Sequence, residues 1–166
     1  MQWSKLKSRT EAFFAPGIRD RVALRATAYR GLHDSDGRGS VVVDGREIWD
    51  APTITFYAAE RSEIKDLIET SGGSPYSVQP EARKRLAERG VMDLGEFYQT
   101  LEEYCSASID ASLSSLNVLT RGLAMLDRRV GKRRLATIDV SGEHPFVVQL
   151  HRLRLETTQP KQSPLK

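Results

Sequence analysis

Cysteine is almost missing from this sequence: Cys105 stands alone, beside only three histidines, His33, His144 and His151, in 166 residues. A lone thiol excludes an intramolecular disulfide framework and suits a reducing compartment, so a cytoplasmic location is expected. Scattered histidines and one cysteine form no structural zinc pattern. No apolar run approaches the roughly 18 residues of a membrane span, and the opening MQWSKLKSRTEAFFAPG has no apolar stretch like that of a signal peptide. A phosphate loop is also missing. Gly131-Lys132 resembles the end of one, but Leu126 occupies the earlier glycine position and Arg133 replaces the Ser/Thr that would hold magnesium. Asp34-Ser35-Asp36-Gly37 opens like a calcium loop, yet the position of its bidentate glutamate falls on Gly45. No cofactor is expected.

What is present is a basic, strongly patterned C-terminal third. The net charge is +3, but residues 117 to 166 carry +6 and the remainder −3. The excess begins in Asn117 to Leu135, NVLTRGLAMLDRRVGKRRL, which reads as one helix. Leu119, Leu123, Leu126 and Val130 form its apolar stripe, and Asn117 its N-cap. Arg128, Arg129, Lys132, Arg133 and Arg134 then form a basic cluster.

The rest of the chain reads as an α+β fold. Residues 2 to 15 form an amphipathic helix with Trp3, Leu6, Thr10, Phe13 and Phe14 on one face, ended by Pro16-Gly17 and docked on the core rather than on a membrane. Residues 21 to 30 alternate as a strand, and a polar loop spans Gly31 to Gly39. Ser40 to Trp49 forms a hairpin about Asp44-Gly45, the residue pair of a two-residue type I′ turn. That turn pairs Val43 with Arg46 and Val41 with Ile48, and it leaves Val42 and Trp49 on the outer face with Arg21, Arg25 and Tyr29.

Residues 54 to 70 read as a helix turning Tyr57, Ile64, Leu67 and Ile68 to the core, stopped by Ser71-Gly72-Gly73-Ser74-Pro75. Pro80 opens the next helix and Gly90 closes it. Asp93 and Glu96 form a capping box, with Met92 and Phe97 as the staple across it. Leu94, Phe97, Leu101, Tyr104 and Cys105 continue into Ile109, Leu113 and Leu116. Pro145 opens a last helix carrying Phe146, Val147, Leu150 and Leu153, and Thr157 to Lys166 reads as a disordered tail.

Several of these stretches are similar to a known pattern: Trp3-Ser4-Lys5-Leu6-Lys7, Thr27-Ala28-Tyr29-Arg30, Val43-Asp44-Gly45-Arg46-Glu47-Ile48, Leu126 to Leu135, and Glu143-His144-Pro145. On these the chain resembles a family of small uncharacterised bacterial proteins that open with Trp-Ser-Lys-Leu-Lys. After Pro145 it departs from that family, with Leu150-His151-Arg152 where the family tends toward Phe-Tyr before Leu-Arg. The resemblance implies a bacterial cytosolic protein and carries no activity.

The expected architecture is an N-terminal helix, a three-stranded antiparallel meander and a C-terminal helical lobe. The divisions fall at residues 1–72, 73–156 and the tail 157–166, in one compact domain overall. The expected function is non-catalytic protein binding, through Arg128, Arg129, Lys132, Arg133, Arg134, Arg25, Tyr29 and Trp49. An alternative is nucleic-acid binding through residues 128–134. A metal-dependent hydrolase using Asp44 with Glu63 and Lys65 is the remote third. Against all three stands internal pairing of the arginines with Asp139, Glu143 or Glu156, with Arg128 the structural one and Arg133 exposed.

Overall fold

The computed structural model describes residues 2–29 and 36–158. Helix α1, Trp3–Glu11, buries Leu6 and Thr10, and a 3-10 turn at Pro16–Ile18 leads into the sheet. Strands β1 (Val22–Ala28), β2 (Gly37–Val43) and β3 (Arg46–Pro52) pair in that order, each antiparallel to the next, as a meander. Asp44 and Gly45 take φ of 49° and 81°, the positive values a type I′ turn needs. Arg21 holds the turn from outside, its Nε and Nη2 donating to the Asp44 carboxylate at 2.9 and 2.6 Å.

Val43 opposes Arg46 as expected, but a bulge between Val41 and Val42 shifts the register, so Val41 opposes Trp49 instead of Ile48. One extra residue in a strand turns every later side chain to the other face. Trp49 therefore lies in the core and not on the outer face with Arg25 and Tyr29. It is 7 % exposed, its indole N–H donates to the Gly90 carbonyl at 3.1 Å, and its ring lies 5.6 Å from that of Phe146. Val42 is buried as well. The outer face carries instead an Arg38 guanidinium paired with both Glu47 and Asp50.

Helix α2 (Thr53–Ser71) buries Thr53, Phe56, Glu60, Glu63 and Leu67. This is nearly one residue out of phase with the expected face: Tyr57 is exposed, and Ile64 and Ile68 are half-buried. The reason lies in its partner. Helix α3 (Pro75–Glu88) packs along α2 and presents Gln79, Arg83 and Arg85, so carboxylates rather than isoleucines fill the seam. Helix α3 starts at Pro75, not Pro80, because Ser74 and Ser77 cap it reciprocally there.

The expected Asp93/Glu96 capping box opens α4, Leu94–Ser106, with Met92 and Phe97 both buried. The helix sits close on β2: a Cβ added to Gly39 would lie 2.5 Å from Cγ of Phe97. Cys105 is half-buried, its Sγ 3.4 Å from the Thr10 hydroxyl. Helix α5 (Ile109–Leu113) buries Ser112, and Leu116, expected on the apolar stripe, is exposed.

The stretch from 117 to 135 is two helices, not one: α6 (Val118–Leu126) and α7 (Lys132–Thr137). Leu119, Leu123, Leu126 and Val130 are all fully buried as the stripe implied. Asp127, however, is extended and bridges to Phe14, with Ala15 N–H donating to Leu126 O at 2.9 Å and Arg128 N–H to Phe13 O at 2.8 Å. Tertiary backbone pairing replaces the helical bonds that 127–130 would have made. Helix α8 (Pro145–Thr158) buries Phe146, Val147, Leu150 and Leu153 and packs on α6, the 3-10 turn and α7, and it runs into the residues expected as tail; the rest of that tail, from 159, lies outside the described residues. The polar loop expected at 31–39 overlaps β2 from Gly37, while 31–35 are outside the described residues. One apolar cluster joins α1, the sheet, α4, α6 and α8.

Candidate functional site

Asp127 organises the basic end of the molecule. It is fully buried, and its carboxylate accepts from Tyr104 OH at 2.5 Å, from the Arg129 backbone N–H at 2.8 Å, and from Arg129 Nη2 at 2.7 Å. Burial, then the bond to Asp127, pushes the Tyr104 hydroxyl pKa far above its ordinary value. The Arg129 guanidinium also lies over the Phe13 ring at 4.3 Å and donates to Ala107 O at 3.0 Å. Arg129, not Arg128, is therefore the structural arginine. Asp127 opens a turn, its carboxylate accepting the Arg129 N–H and its carbonyl the Val130 N–H at 3.1 Å, which folds Arg129 back onto the carboxylate and leaves Arg128 exposed.

The other members of the cluster are looser. Arg134 pairs with Asp110 at 2.6 Å, but that carboxylate is 76 % exposed, and such pairs contribute little. Among the described residues Lys132 Nζ donates only to Thr158 O, at 3.3 Å. Arg128 and Arg133 are exposed, and their side chains have no partner among the described residues. The carboxylates expected to absorb the cluster are occupied elsewhere or unpaired with it: Glu143 pairs with Arg121, and Asp139 accepts from Ser141 N–H.

Two further arginines arrive from the N-terminus. Arg9 on α1 donates to Ser106 Oγ at 3.3 Å, next to the Ala107 carbonyl that Arg129 uses. Arg19 donates to Phe14 O at 3.1 Å and Ala12 O at 3.2 Å, the carbonyls of the residues after and before Phe13, whose ring lies beneath Arg129. Sequence reasoning missed both, because nothing local links positions 9 or 19 to position 129. Arg25, exposed, and Tyr29, half-buried, remain on β1 and beyond its end, and neither joins this surface through any contact among the described residues.

A second polar centre lies where α2, α3 and α4 meet. Arg83 bridges Glu60, at 2.6 Å, and Glu96, at 3.5 Å, and Glu63 pairs with Arg85 and Arg89. Burial first, and then the neighbouring Asp93 carboxylate, push the Glu96 carboxyl up to about 7. It borders a cleft of about 540 Å³, whose other lining includes Thr100, Asn117 and the exposed Leu116. Asp44 and Glu63, which a metal-dependent hydrolase would need, are each taken by arginines. Among the described residues no three His, Cys, Asp or Glu side chains gather where they could hold a metal ion, and no helix is long and apolar enough to cross a membrane.

A family model matches residues 2–155, nearly the whole chain and every element described above. The chain belongs to the SF0329 protein family. No curated protein and no solved structure matches it. The matched span takes in both the basic end and the α3–α4 cleft.

Proposed function

We propose that the protein is a non-catalytic protein-binding module whose basic end receives an acidic protein surface. The observation that carries this reading is a mismatch of charge. Of Arg9, Arg19, Arg128, Arg129, Lys132, Arg133 and Arg134, only Arg129 and Arg134 have a carboxylate partner among the described residues. Crowded cations repel one another, and a partner's carboxylates would offset that repulsion and speed encounter. A protein partner is favoured over single-stranded nucleic acid because the rings nearby are not free to stack on bases. Tyr104 is buried, Phe13 lies under Arg129, and Trp49 is in the core. The exposed tyrosines, Tyr57 and Tyr76, belong instead to the α2–α3 hairpin.

The test is a double reversal, Arg128→Glu with Arg133→Glu, at two side chains that make no internal pair. Arg129 is unsuitable, since reversing it would set two carboxylates together at Asp127. The melting transition should not move. Capture of an acidic protein that survives nuclease treatment and weakens with salt should be lost. Capture that nuclease abolishes would replace this reading with nucleic-acid binding, and capture indifferent to the reversal would end both.

A further inference from the structure

Arg154 is the arginine that the surface reading does not use. It lies on α8 and is only 8 % exposed. Its Nε is sealed from solvent without a hydrogen-bond partner. Its guanidinium makes no hydrogen bond and no ion pair among the described residues. Burial lowers its pKa, yet an arginine stays protonated at any ordinary pH, so the charge persists. Buried charges are otherwise found paired, because the lost hydration has to be replaced.

The contacts of its helix say where Arg154 faces. His151 Nε2 lies 2.9 Å from Leu135 O, and Thr158 O accepts from Lys132 Nζ at 3.3 Å. Positions 151, 154 and 158 are spaced by three and four residues, so they share one face of a helix. Positions 151 and 158 meet α7, position 157 meets the 3-10 turn, where a Cβ on Gly17 would lie 3.4 Å from Cβ of Thr157, and the helical spacing sets Arg154 between these two borders. The seam thus gathers the Arg154 guanidinium and, one turn further on, the Lys132 ammonium. Helix α7 is KRRLAT and brings no carboxylate to it. Glu156, the nearest acid along α8, is exposed and two residues round the helix from Arg154. Only Nε is both sealed and unpartnered, so the terminal nitrogens are the part of the guanidinium through which a ligand would reach it.

We propose that the seam between α7 and α8 binds a phosphate-class oxyanion, held by Arg154 with Lys132 at its rim. A planar guanidinium offers two parallel N–H donors to such an oxygen pair, and a doubly charged anion would balance both cations. The site goes beyond protein binding and does not depend on it, since it needs neither Arg128 nor Arg133. The same chemistry has two sources, free phosphate or a phosphate monoester on a larger molecule. Inorganic phosphate and ribose 5-phosphate are the probes for these, and the tighter of the two names the source.

Thermal melts and calorimetry of the full chain, at constant ionic strength made up with chloride, provide the test. The expected result is a saturable rise in Tm with phosphate or the monoester and none with chloride. Arg154→Met should abolish that rise, and in chloride it should melt no lower than the wild type, because it removes an unbalanced buried charge while keeping similar volume. Lys132→Ala should leave the chloride melt unchanged and weaken binding by roughly three- to tenfold, the loss of one charge-assisted bond. Equal rises with chloride, or a phosphate response retained in Arg154→Met, would overturn the site. Should Arg154→Met fail to fold, the wild-type calorimetry and Lys132→Ala decide: no phosphate heat above that of chloride, or unchanged affinity in Lys132→Ala, also overturns it.

Discussion

Removing the Asp127 carboxylate is the most informative single perturbation of this fold. In Asp127→Ala the Tyr104 hydroxyl loses its 2.5 Å bond in a buried position, where the Leu123 carbonyl at 3.3 Å is its remaining acceptor. A hydrogen bond to a charged group contributes about 1.5–3 kcal/mol. The Arg129 backbone N–H loses its acceptor too, for about 1 kcal/mol more. The Arg129 guanidinium costs less, because its side chain is 30 % exposed and water can replace the carboxylate. The total is about 3–5 kcal/mol, within the range for breaking a buried charged pair. Asp127→Asn keeps one acceptor oxygen and should lose roughly half as much. Urea unfolding followed by far-UV circular dichroism measures both, and a cycle with Tyr104→Phe isolates the coupling, expected at about 1 kcal/mol or more. A loss below about 1 kcal/mol in Asp127→Ala would refute the reasoning: the β-bridge to Phe14, and not the buried carboxylate, would then hold the α6–α7 junction.

The hairpin and the α3–α4 cleft give two more predictions. Gly45→Val places a β-branched residue at φ 81° and should cost about 1–2 kcal/mol or more, whereas Gly45→Asn should be nearly neutral; equal melting temperatures for the two would remove the type I′ turn. The Glu96 carboxyl is raised from 4.5 to about 7, so it stays protonated in the folded chain while the unfolded chain has ionised. The stability this contributes is fully present below about pH 4.5 and is lost as pH rises through about 7, on the order of 1–3 kcal/mol in all. Glu96→Gln keeps an acceptor for the Asp93 N–H and should flatten that part of the stability curve; an unchanged slope would assign it to other groups.

The cationic surface gains meaning from its neighbours. Arg129 is anchored by one buried carboxylate and two aromatic rings, so it is scaffold, while its neighbour Arg128 is exposed. Reversing Arg129 and reversing Arg128 are therefore different experiments. The first reads stability and the second reads the proposed partner.

What the sequence determined by itself is local. Asp44-Gly45 specifies its turn because few other pairs accept positive φ at both positions, and Asp93 with Glu96 caps α4 with groups three residues apart. The stripe Leu119, Leu123, Leu126 and Val130 is buried whatever the backbone between its members does, because its apolar surface must leave water. The antiparallel meander and the helices around it follow from signals of this kind. Only tertiary structure decided the rest. A bulge of one residue sent Trp49 inward, and no residue type in Arg46–Pro52 announces where a strand will slip. The carboxylates of α2 are buried because α3 happens to face them with arginines, which a period of 3.6 cannot reveal. The helix expected through Asp127 breaks there because Phe13 and Ala15, more than a hundred residues earlier, offer it backbone partners. The same long-range pairing chooses which arginine is structural, and the α7–α8 seam leaves Arg154 without a counter-charge. Charge in a sequence is a count; whether a charge is answered depends on what the fold brings within about 4 Å of it.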